Sequence, residues 1–316
     1  MNKPARVPPT LNGVSPSCIA LPAGAWRSIV DFLCERFPDV APAEWAARMA
    51  AGAVVDECGR HVSASSPFQA GLRVYYYRSL ADEAPIPFEE SVLFQDDWLV
   101  VADKPHFLPV MPSGRYVQET LLVRLKRRLG IDTLSPIHRI DRETAGLVVF
   151  AVQPATRGAY QTLFADKAVS KEYEAIAPYR QDLSLPRIHR SRLEEDSCFM
   201  QMHEVSGEPN TETRIELIEQ SGGLARCRLS PVTGRKHQLR AHCASLGMPI
   251  LHDRIYPALL AENTDDCARP LQLLARTLSF RDPLSGALRS FASERSLMSL
   301  EAASRLQQGS AGGVAG

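Results

Sequence analysis

One kind of segment recurs between residues 91 and 280: short apolar or alternating runs, SVLFQ, WLVVAD, AGLVVFAV, KEYEAIAP, TRIELIEQ, GLARCRLSP and LQLLARTLSF. Each is short, rich in Val, Leu, Ile or aromatic residues, and bounded by turn formers, the pattern of a strand. Three stretches in the same span carry helical spacing instead. QETLLVRLKRRLG stops at Gly130, PATRGAYQTLFADK has Pro154 near its first turn, and HQLRAHCASLG lies between the last two strands. Strands outnumber helices, which predicts an α+β domain with a mixed, largely antiparallel sheet over residues 91–300.

The stretch before it differs. WRSIVDFLCERF and APAEWAARMAAG place Ile29, Phe32 and Leu33, then Trp45 and Met49, at helical spacing. AVVDECGRHV and LRVYYYRS follow as strands. A helix pair and short strands within about 55 residues make a small accessory α/β domain, assigned to residues 21–80. Asp82 to Asp103 holds seven acids and no Lys or Arg, so residues 81–90 read as an acidic linker. The Pro- and Ser-rich residues 1–20 are expected to be a flexible lead-in, and residues 301–316, ending LQQGSAGGVAG, a disordered tail.

Composition excludes several classes. Thirty-six Lys and Arg balance thirty-six Asp and Glu, which rules out a globally basic nucleic-acid coat protein and an acidic disordered chain. No apolar run approaches the roughly 20 residues of a membrane span, and the first residues lack the apolar stretch of a secretory leader. The seven cysteines are scattered with no C-x-x-C pair, so neither a disulfide framework nor a structural zinc site is expected. A soluble cytoplasmic protein, monomeric by default, is the expectation.

Charge is segregated nonetheless. From Gln220 to His252 there is no acid, while Arg226, Arg228, Arg235, Lys236 and Arg240 lie there beside His237, His242 and His252. A second basic knot is Arg124, Lys126, Arg127 and Arg128, and a third is Arg187, His189, Arg190 and Arg192. A solvated helix face accounts for the second as well as a binding face does. The first is long enough to suggest a polyanion, RNA or phosphate, as partner.

Two segments look chemical. In SPIHRIDRETAGLVVFAV, Asp141 sits between Arg139 and Arg142, just before a small-residue turn and a buried strand, a rigid place to display a side chain. A surface ion network is an equal reading of those residues alone. In SPVTGRKHQLRAHCASLGMPILHDRIY, Thr233-Gly234 forms a turn, and Arg235 and His237 open a helix carrying Arg240. His237 and His242 are not four apart, so they do not share a helical face as metal ligands would; local hydrogen bonding is expected of them.

Together these segments resemble a family. HRIDRETAG resembles the HRLDRxTSG signature of RluA-type pseudouridine synthases, GRKHQLRAHCASLGMPILHDRIY resembles that family's GRTHQLRVHLAxxGxPIxGDxxY, and KEYEAIAP its K-x-Y-x-A strand. The resemblance implies the pseudouridine synthase fold and an isomerase that turns uridine in structured RNA, ribosomal or transfer, into pseudouridine. The glycosidic bond breaks, the uracil turns, and carbon 5 rejoins the sugar, so no cofactor or metal is implied. It makes Asp141 the essential carboxylate, acting on the anomeric carbon or as a base, and Tyr173 the ring that stacks on the target base and helps remove its carbon-5 proton. Arg139 becomes the residue that enters the RNA stack when the uridine is flipped out. A buried carboxylate needs a nearby cation to stay charged; Arg235 is the first candidate, Arg240 the second. Arg142, Arg124, Lys126, Arg127, Arg128, Lys236 and Arg240 are the expected RNA contacts, and His138 and Thr144 hold the turn.

Departures from the pattern are Ile140, Ala145 in place of Ser, Lys236 in place of Thr and His252 in place of Gly. Residues 26–78 resemble the small RNA-binding domain, named for a small-subunit ribosomal protein, that often precedes this catalytic domain. Six arginines there meet six acids, so a degenerate docking module is also open. The competing reading of the whole chain is an RNA-binding or ribosome-assembly factor of the same fold without catalysis. A hydrolase pairing Asp141 with His138 or His237 lacks a second placed carboxylate or a serine elbow.

Overall fold

The computed structural model describes residues 8–78, 83–196, 200–260 and 266–311. Contacts divide the chain into two compact units: residues up to Pro85 with Met111–Asp132, and Ile86–Val110 with everything from Thr133.

The first unit contains β1 (Ser17–Ala20), α1 (Ile29–Arg36), α2 (Pro42–Ala50), β2 (Val54–Asp56), β3 (Arg73–Tyr76) and α3 (Leu121–Leu129). Its antiparallel sheet runs β1-β3-β2. Ser28 starts α1 through a reciprocal cap with Asp31, satisfying two backbone N–H groups that the first turn leaves open. The apolar spacing of both helices delivers Ile29, Phe32, Leu33, Trp45 and Met49 into one core with Val54 and Val74. Residues 17–20, expected as lead-in, are an edge strand, because Ile19 alternates inward opposite Val74; residues 1–7 lie outside the described residues. α3 begins at a Thr120 cap and ends at Gly130, whose φ of +68° supplies the left-handed stop.

The second unit is built on β4 (Ser91–Gln95), β5 (Leu99–Lys104), β6 (Ser135–Pro136), β7 (Ala145–Ala151), β8 (Val169–Pro178), β9 (Arg187–Glu195) and β10 (Met202–Val205). β11 (Thr211–Ser221), β12 (Leu224–Pro231), β13 (Leu273–Arg281) and β14 (Leu288–Ala292) complete it, with helices α4 (Arg157–Ala165), α5 (Gln238–Ser245) and α6 (Leu300–Ala311). The sheet order is β10-β9-β11-β12-β8-β13-β7-β5-β4, with β14 beside β13 and β6 beside β7. Every pairing is antiparallel except β13 with β7. This is the mixed, largely antiparallel α+β sheet expected from the pattern.

Two cores hold the helices on it. Leu239 and Cys243 of α5 pack with Ala175 and Ala177 of β8 and Cys227 and Leu229 of β12. Tyr160 of α4 packs with Leu147 and Val149 of β7 and Phe280 of β13. Residues 301–311, expected as part of a disordered tail, continue from Leu300 as α6, since Leu300 and Ala303 are buried against Ile176 and Leu274; residues 312–316 lie outside the described residues. Among the described residues no helix is long and apolar enough to cross a membrane, and the six cysteines are free thiols.

Candidate active site

The site begins with a turn that has no freedom. Gly146 opens β7 with φ +110°, and a Cβ there would stand 2.3 Å from the carbonyl oxygen of Ala275 on β13. Only glycine lets the two strands approach this closely, and the approach sets the height at which the preceding loop leaves the sheet. Within that loop the Thr144 N–H donates to the Asp141 carbonyl (3.2 Å). His138 accepts the Val149 N–H (3.0 Å) and stacks on Phe164, so its ring is a neutral brace. Burial pushes its pKa down to about 3. That removes His138 as an acid–base partner for Asp141.

A second turn faces the first. Gln238, 3% exposed, uses its whole carboxamide: Oε1 accepts from the Thr233 hydroxyl (2.7 Å) and the Arg235 N–H (3.2 Å), and Nε2 donates to the Glu212 carbonyl (3.0 Å) and Thr213 Oγ1 (2.9 Å). These bonds weld residues 233–238 to β11. His237 takes a left-handed conformation, φ +53°, so the helix starts at Gln238 rather than at Arg235.

The later start decides which arginine meets Asp141. Arg240, 1% exposed, donates through Nη1 to Asp141 Oδ2 (3.2 Å), while Nε and Nη2 grip Asp253 as a fork at 2.8 and 2.7 Å. Glu143 lies 3.8 Å from the same guanidinium. The countercharge is therefore Arg240, and the expectation for Arg235 is corrected: it is exposed at the cavity mouth, on the turn before the helix. Arg240 is equally corrected as an RNA contact, since it is itself buried and its donors are spent on Asp253 and Asp141. Burial opposes the charge on Asp141, but His237 in its protonated form, with Arg240 and Arg139, outweighs it and holds the carboxyl below its usual range. Asp141 is ionised at neutral pH.

Between the two turns lies a cavity of about 430 Å³, lined by Arg139, Asp141, Lys171, Tyr173, Arg235 and His237 among others. A volume of that order suits one flipped nucleotide base with its sugar. Tyr173 sits on β8 between β12 and β13, and burial followed by the Asp141 charge pushes its phenol up, so it stays protonated. Lys171, two residues earlier, donates to the Thr233 carbonyl (3.3 Å). Lys236 pairs with Glu195 (2.8 Å) beside the cavity, and Arg139 is exposed at its edge.

The remaining expected RNA contacts divide. Arg142 is drawn inward, paired with Glu143 (3.1 Å) and lying over the Phe107 ring. In the first unit Lys126 is buried and donates to Ser15 Oγ (2.8 Å), and Arg124 pairs with Glu119, whereas Arg127 and Arg128 are exposed. Much of the acid-free run after Gln220 is neutralised in space, Arg235 at the cavity mouth being the exception among its arginines. Arg226 meets Glu174 and Glu219, Arg228 approaches Glu172, and Arg240 meets Asp253.

Sequence reasoning missed Asp253, Gln238, Lys104 and Tyr256. Buried Lys104 donates to the carbonyls of Pro105 and of Arg142, the residue after Asp141, both at 3.0 Å. Its pKa is lowered to about 7 by burial, despite the nearby Glu143 and Asp141 charges. His189, Glu204 and His242 bring three potential metal ligands within 4.8 Å. There the His242 ring already lies within hydrogen-bond distance of Ser191, Thr211 and Thr213, and His189 of Glu204.

A loop-borne carboxylate is thus tied to a buried arginine beside a cavity that could take one base. The family model described as RNA pseudouridylate synthase matches residues 98–245. The RluA dual-specificity RNA pseudouridine synthase of Escherichia coli (strain CFT073) is 33% identical over 175 residues, 52% of this chain and 76% of that protein. The mitochondrial tRNA pseudouridine(32) synthase of Saccharomyces cerevisiae is 33% identical over 177 residues, 52% of this chain but 37% of that longer protein. The solved structure of human RNA pseudouridylate synthase domain containing 4 superposes with a TM-score of 0.51 at 26% identity, covering 68% of this chain and 92% of that one. The chain belongs to the RluA-type family of RNA pseudouridine synthases, isomerases that convert uridine in RNA to pseudouridine.

Proposed function

We propose that the protein isomerises a uridine in a structured loop of ribosomal or transfer RNA, as a cytoplasmic monomer without metal or cofactor. Asp141 is the essential carboxylate, acting at the anomeric carbon or as a base, and Tyr173 stacks on the extruded uracil. Arg139 fills the gap left in the RNA stack, which offsets part of the few kcal/mol that flipping costs. Arg235 and Lys236 meet phosphates beside the target nucleotide. Residues 91–300 form the catalytic domain in this reading, and residues 21–80 an accessory module that docks RNA or packs. The observation that carries it is an ionised Asp141 in a base-sized cavity, tied to the buried Arg240 at 3.2 Å. A carboxylate so held keeps its charge and position without needing the substrate to supply either.

The test is tritium release from RNA labelled at carbon 5 of uridine, with transfer RNA and protein-free ribosomal RNA assayed separately. Wild type should release tritium from one pool and Asp141→Asn from neither, while RNA binding and the unfolding temperature change little. Full activity in Asp141→Asn would remove Asp141 from the chemistry.

A further inference from the structure

Helix α5 carries Arg240 midway between two polar side chains of its other face. Gln238 and His242 are four residues apart, so they lie one above the other on the helix and reach the same hydroxyl. Gln238 Nε2 donates to Thr213 Oγ1 at 2.9 Å, and His242 Nδ1 is 3.0 Å from that oxygen. At the far side of the ring, His242 Nε2 is 2.9 Å from Thr211 Oγ1 and 3.1 Å from Ser191 Oγ. Gln238, His242, Thr211 and Thr213 are all buried. Arg240, two residues from each end of this pair, points the opposite way, to Asp253 and Asp141.

The neighbours decide where each hydrogen goes. The Gln238 amide is oriented by the Arg235 N–H it accepts and the Glu212 carbonyl it donates to, so its nitrogen faces Thr213. Among the described residues, the remaining partner for the Thr213 hydrogen is His242 Nδ1. Thr211 spends its own hydrogen on the Ser191 carbonyl at 2.6 Å, so towards His242 Nε2 it can only accept. Both ends specify one tautomer, a neutral ring with its proton on Nε2. With Nδ1 accepting and Nε2 donating, neither nitrogen has a lone pair left to ligate an ion beside His189 and Glu204. His189 and Glu204 are also the charged groups that face the ring. Burial pushes its pKa down to about 4, His189 adding to this and Glu204 opposing it.

We propose that His242 is a positioning residue for the reaction: the chain Gln238–Thr213–His242–Thr211 locks the rotation of α5 about its axis and so holds the Arg240 guanidinium against Asp141. The inference rests on Asp141 being the carboxylate of the reaction. Leu239 and Cys243 fasten α5 to the sheet, but apolar contact is non-directional and does not choose one rotation. Hydrogen bonds weaken steeply off their axis and do choose. A turn of about 10° at a helix radius of about 5–6 Å moves a side-chain tip by about 1 Å. A displacement of that size can cost about a hundredfold in rate. His242 lies outside the cavity lining, so it acts through Arg240.

Two variants break the chain at different links. Thr213→Val removes the shared hydroxyl and nearly keeps the shape, and His242→Phe keeps a ring and removes both nitrogens. Single-turnover tritium release is measured against pH, with RNA affinity and unfolding temperature alongside. Both variants should lose about tenfold to a hundredfold in rate with RNA affinity unchanged. Their acid limbs should move to higher pH, because an Arg240 turned aside no longer holds the Asp141 carboxyl down. Thr213→Ser, which keeps the hydroxyl, should retain the wild-type rate and limb. A folded Thr213→Val or His242→Phe with the wild-type rate, or a slow one whose acid limb has not moved, would overturn the proposal. Should both unfold, nitrogen-15 histidine NMR of the wild type decides: between about pH 6 and 8 the His242 proton should sit on Nε2, and a ring protonated on Nδ1 overturns the lock. Asp141→Asn in the same assay separates the premise, since activity there defeats the carboxylate reading whatever His242 does.

Discussion

Replacing Arg240 by Met tests whether one guanidinium holds the site together. It removes the two fork bonds to Asp253, whose side chain is fully buried, and the single bond to Asp141, which is 23% exposed. The methionine fills most of the volume, so the cost is electrostatic: Asp253 is left as a buried charge whose partners among the described residues are the Ile255 and Tyr256 N–H groups. Stranding one member of a buried pair costs about 3–5 kcal/mol. At about 2–4 °C per kcal/mol for a domain of this size, the unfolding midpoint falls by roughly 6–20 °C. Arg240→Lys recovers only part, since an ammonium cannot form the fork and reach Asp141 together. Adding Asp253→Asn to Arg240→Met should regain most of the stability and none of the turnover, because Asp141 still lacks its cation. The assay is denaturant and thermal unfolding of the four proteins beside tritium release. A loss under about 1 kcal/mol in Arg240→Met, or an active double variant, would refute the reasoning.

Three further outcomes are expected. Lys104 has a folded pKa of about 7 against an ordinary 10.5, so between those values the unfolded chain holds a proton the folded one has released. Stability should therefore rise with pH across that window, by at most about 1.4 kcal/mol per unit, and Lys104→Met should flatten the rise; equal slopes in urea unfolding at pH 7 and 9.5 would contradict it. Gly146→Ala forces a methyl against the Ala275 backbone at a φ of +110°, and should cost about 2–6 kcal/mol by calorimetry, whereas a wild-type midpoint would mean the β7–β13 contact yields. Glutamine at Arg127 and Arg128 should flatten the salt dependence of RNA binding, while Lys126→Gln, at a buried amine, should lower stability and leave the salt slope alone.

What could be read in advance follows from how local each cause is. AGLVVFAV announces β7 because a strand buried along its whole length needs apolar residues at every position. α3 and its Gly130 stop are equally local. β9, in contrast, reads RIHRSRLEE and looked like a basic knot, since what makes it a strand lies elsewhere: Arg190 pairs with Glu212 on β11 and His189 with Glu204 on β10. The choice between Arg235 and Arg240 turned on where α5 begins. That depends on the left-handed His237 and on a glutamine whose partners sit on β11. Asp253 is a matched position of the second motif, but the motif does not say that its partner is Arg240; that pairing exists only in the folded chain.

The lone parallel pairing has a consequence for the order in which the enzyme is made. β13 lies between β7 and β8, so the strand that follows Asp141 and the strand that carries Tyr173 are joined into one sheet only when residues 273–281 are inserted between them. A chain emerging from the ribosome in sequence order displays the facing edges of β7 and β8, both ready to pair with another strand, until residues 273–281 have been made. The two halves of the candidate site are therefore held in one sheet by the strand that comes after both of them in the sequence.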